Sequence, residues 1–465
     1  MFENVLGQSA TAQLIADIET GLLPPAMLFS GPPASGKGTT ALELGRVISC
    51  EAETPPDGRA AAKYRALWGC QCASCPRHRL LIHPDVLCLG PRPFSSEIAA
   101  AAGAFLRETS APQAAGSASR MLFIRAIRKL LARFNPVLWE DEPKKGKTAI
   151  APLVNALEED LDEIEALASD KSAGDSQDAL IKLIEGTRKT AFKLESEGLS
   201  ETIPIDRIRR AAWWGRLAPS GRGKLLIIEN ADRMQEEARN SLLKLLEEPP
   251  ARLTLVLTSS RPGSLLPTML SRLRPYRFNA RDAAVEKEVI RKVFRDTQEA
   301  GLGAYLESFL PVSGETLNAL AAFFAASAAF KAALLSKKRR RPIANEVVFL
   351  GKFTAPKAEA AGLGRPQGEA AAVAALILEK ADRFEVRSLF SRFLRCILDF
   401  VVLSQRNPEP DTAGGNFSFL PSVAYNEIWK KNISWGETAV ASYRLTPVLV
   451  LEKLFTDLSR AMAEL

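Results

Sequence analysis

The stretch Gly31-Pro32-Pro33-Ala34-Ser35-Gly36-Lys37-Gly38-Thr39 is a GxxxxGK[ST] loop with one member altered. In that pattern the glycines let backbone N–H groups wrap a phosphate, the lysine meets the terminal phosphates, and a hydroxyl holds Mg²⁺. Here Gly38 stands in the hydroxyl position. The apolar run Ala26 to Ser30 just before the loop suits a buried strand, and Thr39 to Ile48 has helical spacing. Strand, loop and helix in this order are the context the motif requires. They make Gly31, Ser35, Gly36, Lys37, Gly38 and Thr39 candidate nucleotide-binding residues, with ATP as a possible ligand.

Composition sets a broad frame around this loop. The 465 residues are 46% hydrophobic and 25% charged, which predicts a globular chain of about three domains. There is no run of about 18 uncharged apolar residues, and no basic N-terminal region followed by an apolar one. A cytoplasmic location is therefore expected. The net charge of +7 and pI near 9.0 favour acidic partners such as nucleic acid, although the basic residues are spread along the chain.

Four of the six cysteines, Cys50, Cys70, Cys72 and Cys75, lie in one short segment. In a cytosolic protein such a cluster points to a metal rather than to a disulfide framework, and four thiolates close a tetrahedral structural zinc site. Two features depart from the common spacing: Cys70-x-Cys72 is tighter than CxxC, and Cys50 is distant from the other three. Free structural thiols are the alternative. Cys88 and Cys396 sit in apolar runs that suit burial, and His83, before Pro84 and Asp85, reads as structural.

Further strands are expected at Val86 to Leu89, Lys224 to Glu229, Leu253 to Thr258 and Tyr276 to Phe278. Strands alternating with helical patterns argue for a parallel sheet covered by helices. More than a hundred residues separate the second and third strands, far beyond an ordinary crossover, so a helical insertion is expected at about 92–202. Within it, Met121 to Phe134 is an amphipathic helix carrying Arg125, Arg128, Lys129 and Arg133. Such a basic helix suits DNA, a membrane surface or packing within the insertion. After Arg281 the pattern turns helical. Lys337 to Arg341 is the densest charge run, readable as a solvated linker, a nucleic-acid contact or a nuclear signal, and Gly351 to Gly368 reads as a loop.

The end of the third strand is the second chemical landmark. A P-loop ATPase carries Asp-Glu there, the Asp for Mg²⁺ and the Glu to activate water. This chain has Glu229-Asn230, and an amide cannot accept the proton. Beyond it, Asn240 to Pro250 (NSLLKLLEEPP) is a helix stopped by two prolines.

Taken with Val5-Leu6-Gly7-Gln8, the loop, the cysteines with His83-Pro84-Asp85, and Leu266 to Arg272 (LPTMLSR), this segment resembles the clamp-loader subunits of bacterial DNA polymerase III, which are AAA+ proteins. The likeness covers residues 1 to about 280 apart from the insertion. It implies an α/β fold: an AAA+ P-loop module with a parallel sheet at 1–280, a helical lid at 281–350 and an all-α collar at 365–465, through which subunits form a ring. That ring places a sliding clamp on primed DNA, so gamma or tau subunits, delta, the clamp and primed DNA are the implied partners.

The departures Gly38 and Asn230, with Leu317 where the family's lid motif has an arginine, resemble the non-hydrolysing delta-prime type more than gamma or tau. The resemblance also implies a catalytic role in trans for Ser271 and Arg272, the arginine finger reaching a neighbour's ATP site. Glu229 is the implied acid of the nucleotide site. Three other readings remain at this point. One is a hydrolysing gamma- or tau-type subunit using Thr39 or Thr40 with Asp232. Another is a nucleoside monophosphate kinase, for which Gly38 would be ordinary. The third is a DNA-binding accessory protein.

Overall fold

A computed structural model describes the chain apart from residues 53–65, 110–116, 141–143, 168–173, 201, 311, 313, 380–385, 407–422 and 442–444. Two units emerge, Met1–Phe309 and Leu310–Leu465.

Among the described residues the first unit has five strands: β1 (Ala26–Ser30), β2 (Val86–Leu89), β3 (Lys224–Ile228), β4 (Leu253–Ser259) and β5 (Arg274–Arg277). All pairings are parallel and the order is β2-β3-β4-β1-β5. The central strands are apolar without alternation because both faces are covered. One face of the sheet, with Leu28, Leu226, Ile228, Leu255 and Leu257, packs on α9 (Ile205–Arg216), α10 (Glu236–Glu247) and α11 (Pro267–Leu270). The other, with Met27, Phe29, Leu225, Ile227 and Val256, packs on α1 (Ser9–Glu19), α2 (Lys37–Ile48) and α3 (Ser74–Arg79). Parallel strands aligned this way place their C-terminal ends along one edge, where α/β sheets gather ligand-binding residues. The phosphate loop follows β1 on that edge, Glu229 follows β3, and Ser259 ends β4 between them; the Gly31 N–H donates to Ser259 O at 3.1 Å.

Between β2 and β3, over the segment read as an insertion, the described residues form α4 (Ser95–Thr109), α5 (Ser117–Leu131), the single turn α6 (Pro136–Trp139), α7 (Lys144–Leu167) and α8 (Gly174–Gly198). The sequence reading missed α4, whose run of alanines, Ala99 to Ala102, is buried. Glu195 on α8 anchors its start, accepting from the Phe94 N–H at 3.0 Å and the Ser95 hydroxyl at 2.7 Å. The basic residues of α5 are turned toward the protein. Arg125 donates to Arg79 O and lies 5.5 Å from the Trp68 ring, and Arg128 donates to Leu80 O at 3.1 Å. Of the alternatives for this helix, internal packing is the arrangement observed.

Helices α12 (Ala283–Val293) and α13 (Leu302–Ser308) close the first unit, with Ile290, Phe294 and Tyr305 packed around Ala100. The second unit comprises α14 (Gly314–Lys338), α15 (Asn345–Ala360), α16 (Ala370–Glu379), α17 (Val386–Arg406), α18 (Val423–Ala441) and α19 (Pro447–Met462). The segment expected as a separate lid, 281–350, is thus divided between the units. The apolar residues of α12 and α13 pack with α4, whereas α14 and α15 share a core with α16 to α19. Leu317 is buried in that second core.

Helix α14 is apolar all round because it is central: Phe324 meets Phe393 and Phe455 edge-on at 5.7 and 5.9 Å. Its length and composition would suffice to cross a membrane, but 67% of its most apolar window is buried within the protein. The basic run Lys337 to Arg341 is the C-terminal turn of this helix and the residues just beyond it, where cations face the negative end of the helix dipole; Arg339 pairs with Glu464 at 3.0 Å. The loop expected at Gly351 to Gly368 is corrected over its first ten residues, which continue α15 through Pro356 because Thr354 and Ala358 are buried in the helical core.

Candidate functional site

Gly36 caps the N-terminus of α2 with φ +94°, a left-handed backbone that favours glycine. Ser35 is buried and donates to Pro32 O at 2.8 Å. Lys37 is turned back into its own loop, donating to Gly31 O at 2.8 Å, Pro32 O at 2.5 Å and Ser35 Oγ at 3.3 Å. Its burial lowers the ammonium pKa to about 8, against the opposing pull of Glu229 and Asp232. Thr39 lies half-buried in the first turn of α2, and Thr40 donates to Gly36 O at 3.0 Å. Arg281, beyond β5, donates to Ala34 O and Leu6 O, tying the loop down from outside.

Glu229 stands against Gly38. A Cβ built on Gly38 would overlap Oε1 of Glu229 and lie 3.4 Å from Arg92 Nη1. The carboxylate is buried and held by a salt bridge to Arg133, with Arg92 at 3.5 Å from its other oxygen. Burial alone would raise its pKa, but Arg133, Arg92 and Lys129 together hold it below the ordinary carboxylate value. Glu97 on α4 completes the cluster by accepting from both Arg92 and Lys129. Arg92 and Arg133 also lie over the Phe94 ring, at 5.0 and 5.3 Å.

Asn230 has φ +50°, which asparagine tolerates, and its amide donates to Pro91 O at 2.6 Å. The residue in the water-activating position therefore shapes a turn. Asp232, the substitute base considered above, accepts from the Ser259 hydroxyl at 2.7 Å and pairs with Arg261 at 3.4 Å.

The four cysteines come together: all four sulfurs lie within 4.8 Å of one another, with Cys50 at 3.8 Å from Cys70 and 3.9 Å from Cys72. Thiolates at about 2.3 Å from a tetrahedral zinc are separated by about 3.8 Å, so this set fits such an ion with no position left open. Burial opposes ionisation of Cys72, yet backbone donors from Cys75 and Glu51 bring its pKa down to about 6. Arg46, fully buried on α2, donates to Cys75 Sγ at 3.4 Å, Leu67 O at 2.8 Å and Ala66 O at 2.7 Å, and pairs with Glu43 at 2.5 Å. His83 is structural: Ser74 Oγ lies 3.2 Å from its Nε2, and its Nδ1 accepts from the Asp85 N–H. Asp85 in turn accepts from the N–H groups of Ser220 and Gly221.

Ser271 and Arg272 stand apart from this constellation, just after α11. Arg272 donates to Thr268 O at 2.7 Å, pairs with Glu247 at 2.9 Å, and keeps about a third of its side chain exposed. Sequence reasoning missed Arg92, Arg281, Arg46 and Glu97, and saw Lys129 and Arg133 only as members of a basic helix. Although Arg46 pairs with Glu43 and Arg92 with Glu97 nearby in the chain, the contacts that build the site span long separations, 96 residues for Arg133 and Glu229 and 137 for Arg92 and Glu229, and no local pattern encodes such a pairing.

Residues 160–282 match the family described as DNA polymerase III, delta subunit. DNA polymerase III subunit delta' of Pseudomonas aeruginosa is 33% identical over 133 residues, 28% of this chain and 39% of that protein. The Bacillus subtilis protein of the same name is 41% identical over 70 residues, 15% of this chain and 21% of its own length. These matches span less than half the length of either relative. Among solved structures, a DNA polymerase III gamma subunit-related protein from Thermotoga maritima aligns over 59% of this chain and 90% of its own, at 19% identity and a TM-score of 0.26. The resemblance to delta-prime-type clamp-loader subunits is borne out by the sequence matches, and the α/β expectation by the parallel sheet with its helical layers.

Proposed function

We propose that this chain is a cytoplasmic, non-hydrolysing clamp-loader subunit of the delta-prime type, part of a DNA polymerase III assembly. It works beside gamma- or tau-type and delta subunits to place a sliding clamp on primed DNA. The observation that carries the reading is the state of Glu229 and Asn230: the acid is neutralised by arginines and its neighbour forms a turn, so neither is available for hydrolysis. The left-handed Gly36 keeps the backbone of a phosphate loop, whereas Lys37 is bonded within that loop and Gly38, set against Glu229 and Arg92, offers no hydroxyl to Mg²⁺. In this reading Arg272 serves as a finger in trans, leaving Glu247 to meet the charge that develops in a neighbouring subunit's active site. Zinc held by Cys50, Cys70, Cys72 and Cys75 is structural, since four sulfurs leave it no open position.

Two measurements test the assignment. The isolated chain turns over no ATP, and Arg272→Ala lowers the DNA-stimulated ATPase of a loader reconstituted with it. Steady turnover by the isolated chain rejects the non-hydrolysing assignment, and an unchanged loader ATPase rejects the role of Arg272. A hydrolysing gamma-type reading would need Asp232 as its base, and that carboxylate is engaged by Ser259 and Arg261.

A further inference from the structure

The acid at the end of β3 is neutralised by side chains of the insertion, and this has consequences for metal binding. Arg92 begins the insertion, Arg133 follows α5, and both converge on Glu229. Lys129 on α5 and Glu97 on α4 extend the network, so three cations face two carboxylates around one cluster. The Arg133 side chain is 5% exposed and the Glu229 side chain 6%. Burial at this depth makes an uncompensated charge costly, which fixes the carboxylate to its guanidinium partners. The same carboxylate and the Arg92 guanidinium lie against Gly38, where a metal-binding hydroxyl would stand. A divalent ion entering here would meet an already positive cluster and would have to displace an arginine from a buried pair.

We propose that Arg92 and Arg133 act as a tethered replacement for the divalent cation, so that this loop excludes Mg²⁺ and the helical insertion is what fills the metal's place. The inference deepens the non-hydrolysing reading on which it rests, and it separates from it. ATP turnover would reject that reading, whereas metal binding at Glu229 without turnover rejects this inference alone. It also gives Gly38 a reason: a larger residue would force Glu229 off its arginines.

The test uses Mn²⁺ as the probe, followed by electron paramagnetic resonance on the zinc-loaded full chain, with and without ADP. The wild type is expected to show no Mn²⁺ site that disappears in Glu229→Gln. The double variant Arg92→Met/Arg133→Met is expected to gain one such site, absent again when Glu229→Gln is added. A Glu229-dependent Mn²⁺ site in the wild type overturns the proposal, as does a folded double variant that gains none. Should the double variant fail to fold, thermal unfolding of Arg92→Met, Glu229→Gln and their combination decides. The pair is expected to be less destabilised than the sum of the single effects, and additive shifts overturn the proposal.

Discussion

The Glu229 carboxylate occupies the space that a side chain at Gly38 would need: a Cβ built on Gly38 would overlap Oε1 of Glu229. Restoring the hydroxyl with Gly38→Ser should therefore destabilise the protein by about 1–3 kcal/mol, the usual cost of overpacking a filled site. It should create no ATPase activity. Urea denaturation and a coupled turnover assay check both statements, and a Gly38→Ser variant as stable as wild type would show that Glu229 has room to move.

The Arg272–Glu247 pair is partly exposed, so Glu247→Ala should change stability by no more than about 1 kcal/mol. Because the variant removes the carboxylate but leaves the bond from Arg272 to Thr268 O, loader ATPase should be retained or raised, in contrast to its lowering in Arg272→Ala. A parallel loss in both variants would mean that the pair matters as a unit rather than the arginine alone.

Metal analysis of the purified chain should find about one zinc per molecule, lost in Cys72→Ser/Cys75→Ser. Arg46→Met should cost about 3–5 kcal/mol, since it strands the buried Glu43 carboxylate and removes donors from Ala66, Leu67 and Cys75. Chemical denaturation measures the second effect; a loss below about 1 kcal/mol would contradict the buried-pair account.

Burial raises the pKa of Glu195 from 4.5 to about 6, despite its bonds from Ser95 and Phe94. A raised folded-state pKa gives stability that is complete below 4.5, falls between 4.5 and about 6, and is absent above. The loss amounts to about 2 kcal/mol, at a rate of about 1.4 kcal/mol per pKa unit. Glu195→Gln should flatten the stability profile across that window. An unaltered slope in the variant would assign the pH dependence to other groups.

Truncating Phe324, which is packed between Phe393 and Phe455 at the centre of the second unit, should cost about 3–5 kcal/mol when changed to Ala. Calorimetry on the full chain should show this loss.

Local patterns carried much of the fold. Strands β1 to β4 were legible because each is a short apolar run, and the loop because its glycines and lysine lie in one short stretch; β5, with two arginines and a proline, overlaps the expected Tyr276 to Phe278 only at Tyr276 and Arg277. The cysteines were legible as a set because three of them share six residues. The extent of α15 escaped because Gly351 and Pro356, breakers by local rule, lie in a helix whose buried face packs on the helical core.

By itself the sequence determined the phosphate-loop pattern with Gly38 in the hydroxyl position, the Glu229-Asn230 pair at the end of a strand, and the set of four cysteines, each read from a short local stretch or from composition. The tertiary structure decided what those residues are coupled to. Gly38, Glu229, Arg92 and Arg133 come from four separate segments, and only the folded sheet with its insertion brings them within bonding distance. A buried charge must find its partner wherever the fold supplies one, and that partner is chosen by proximity in space.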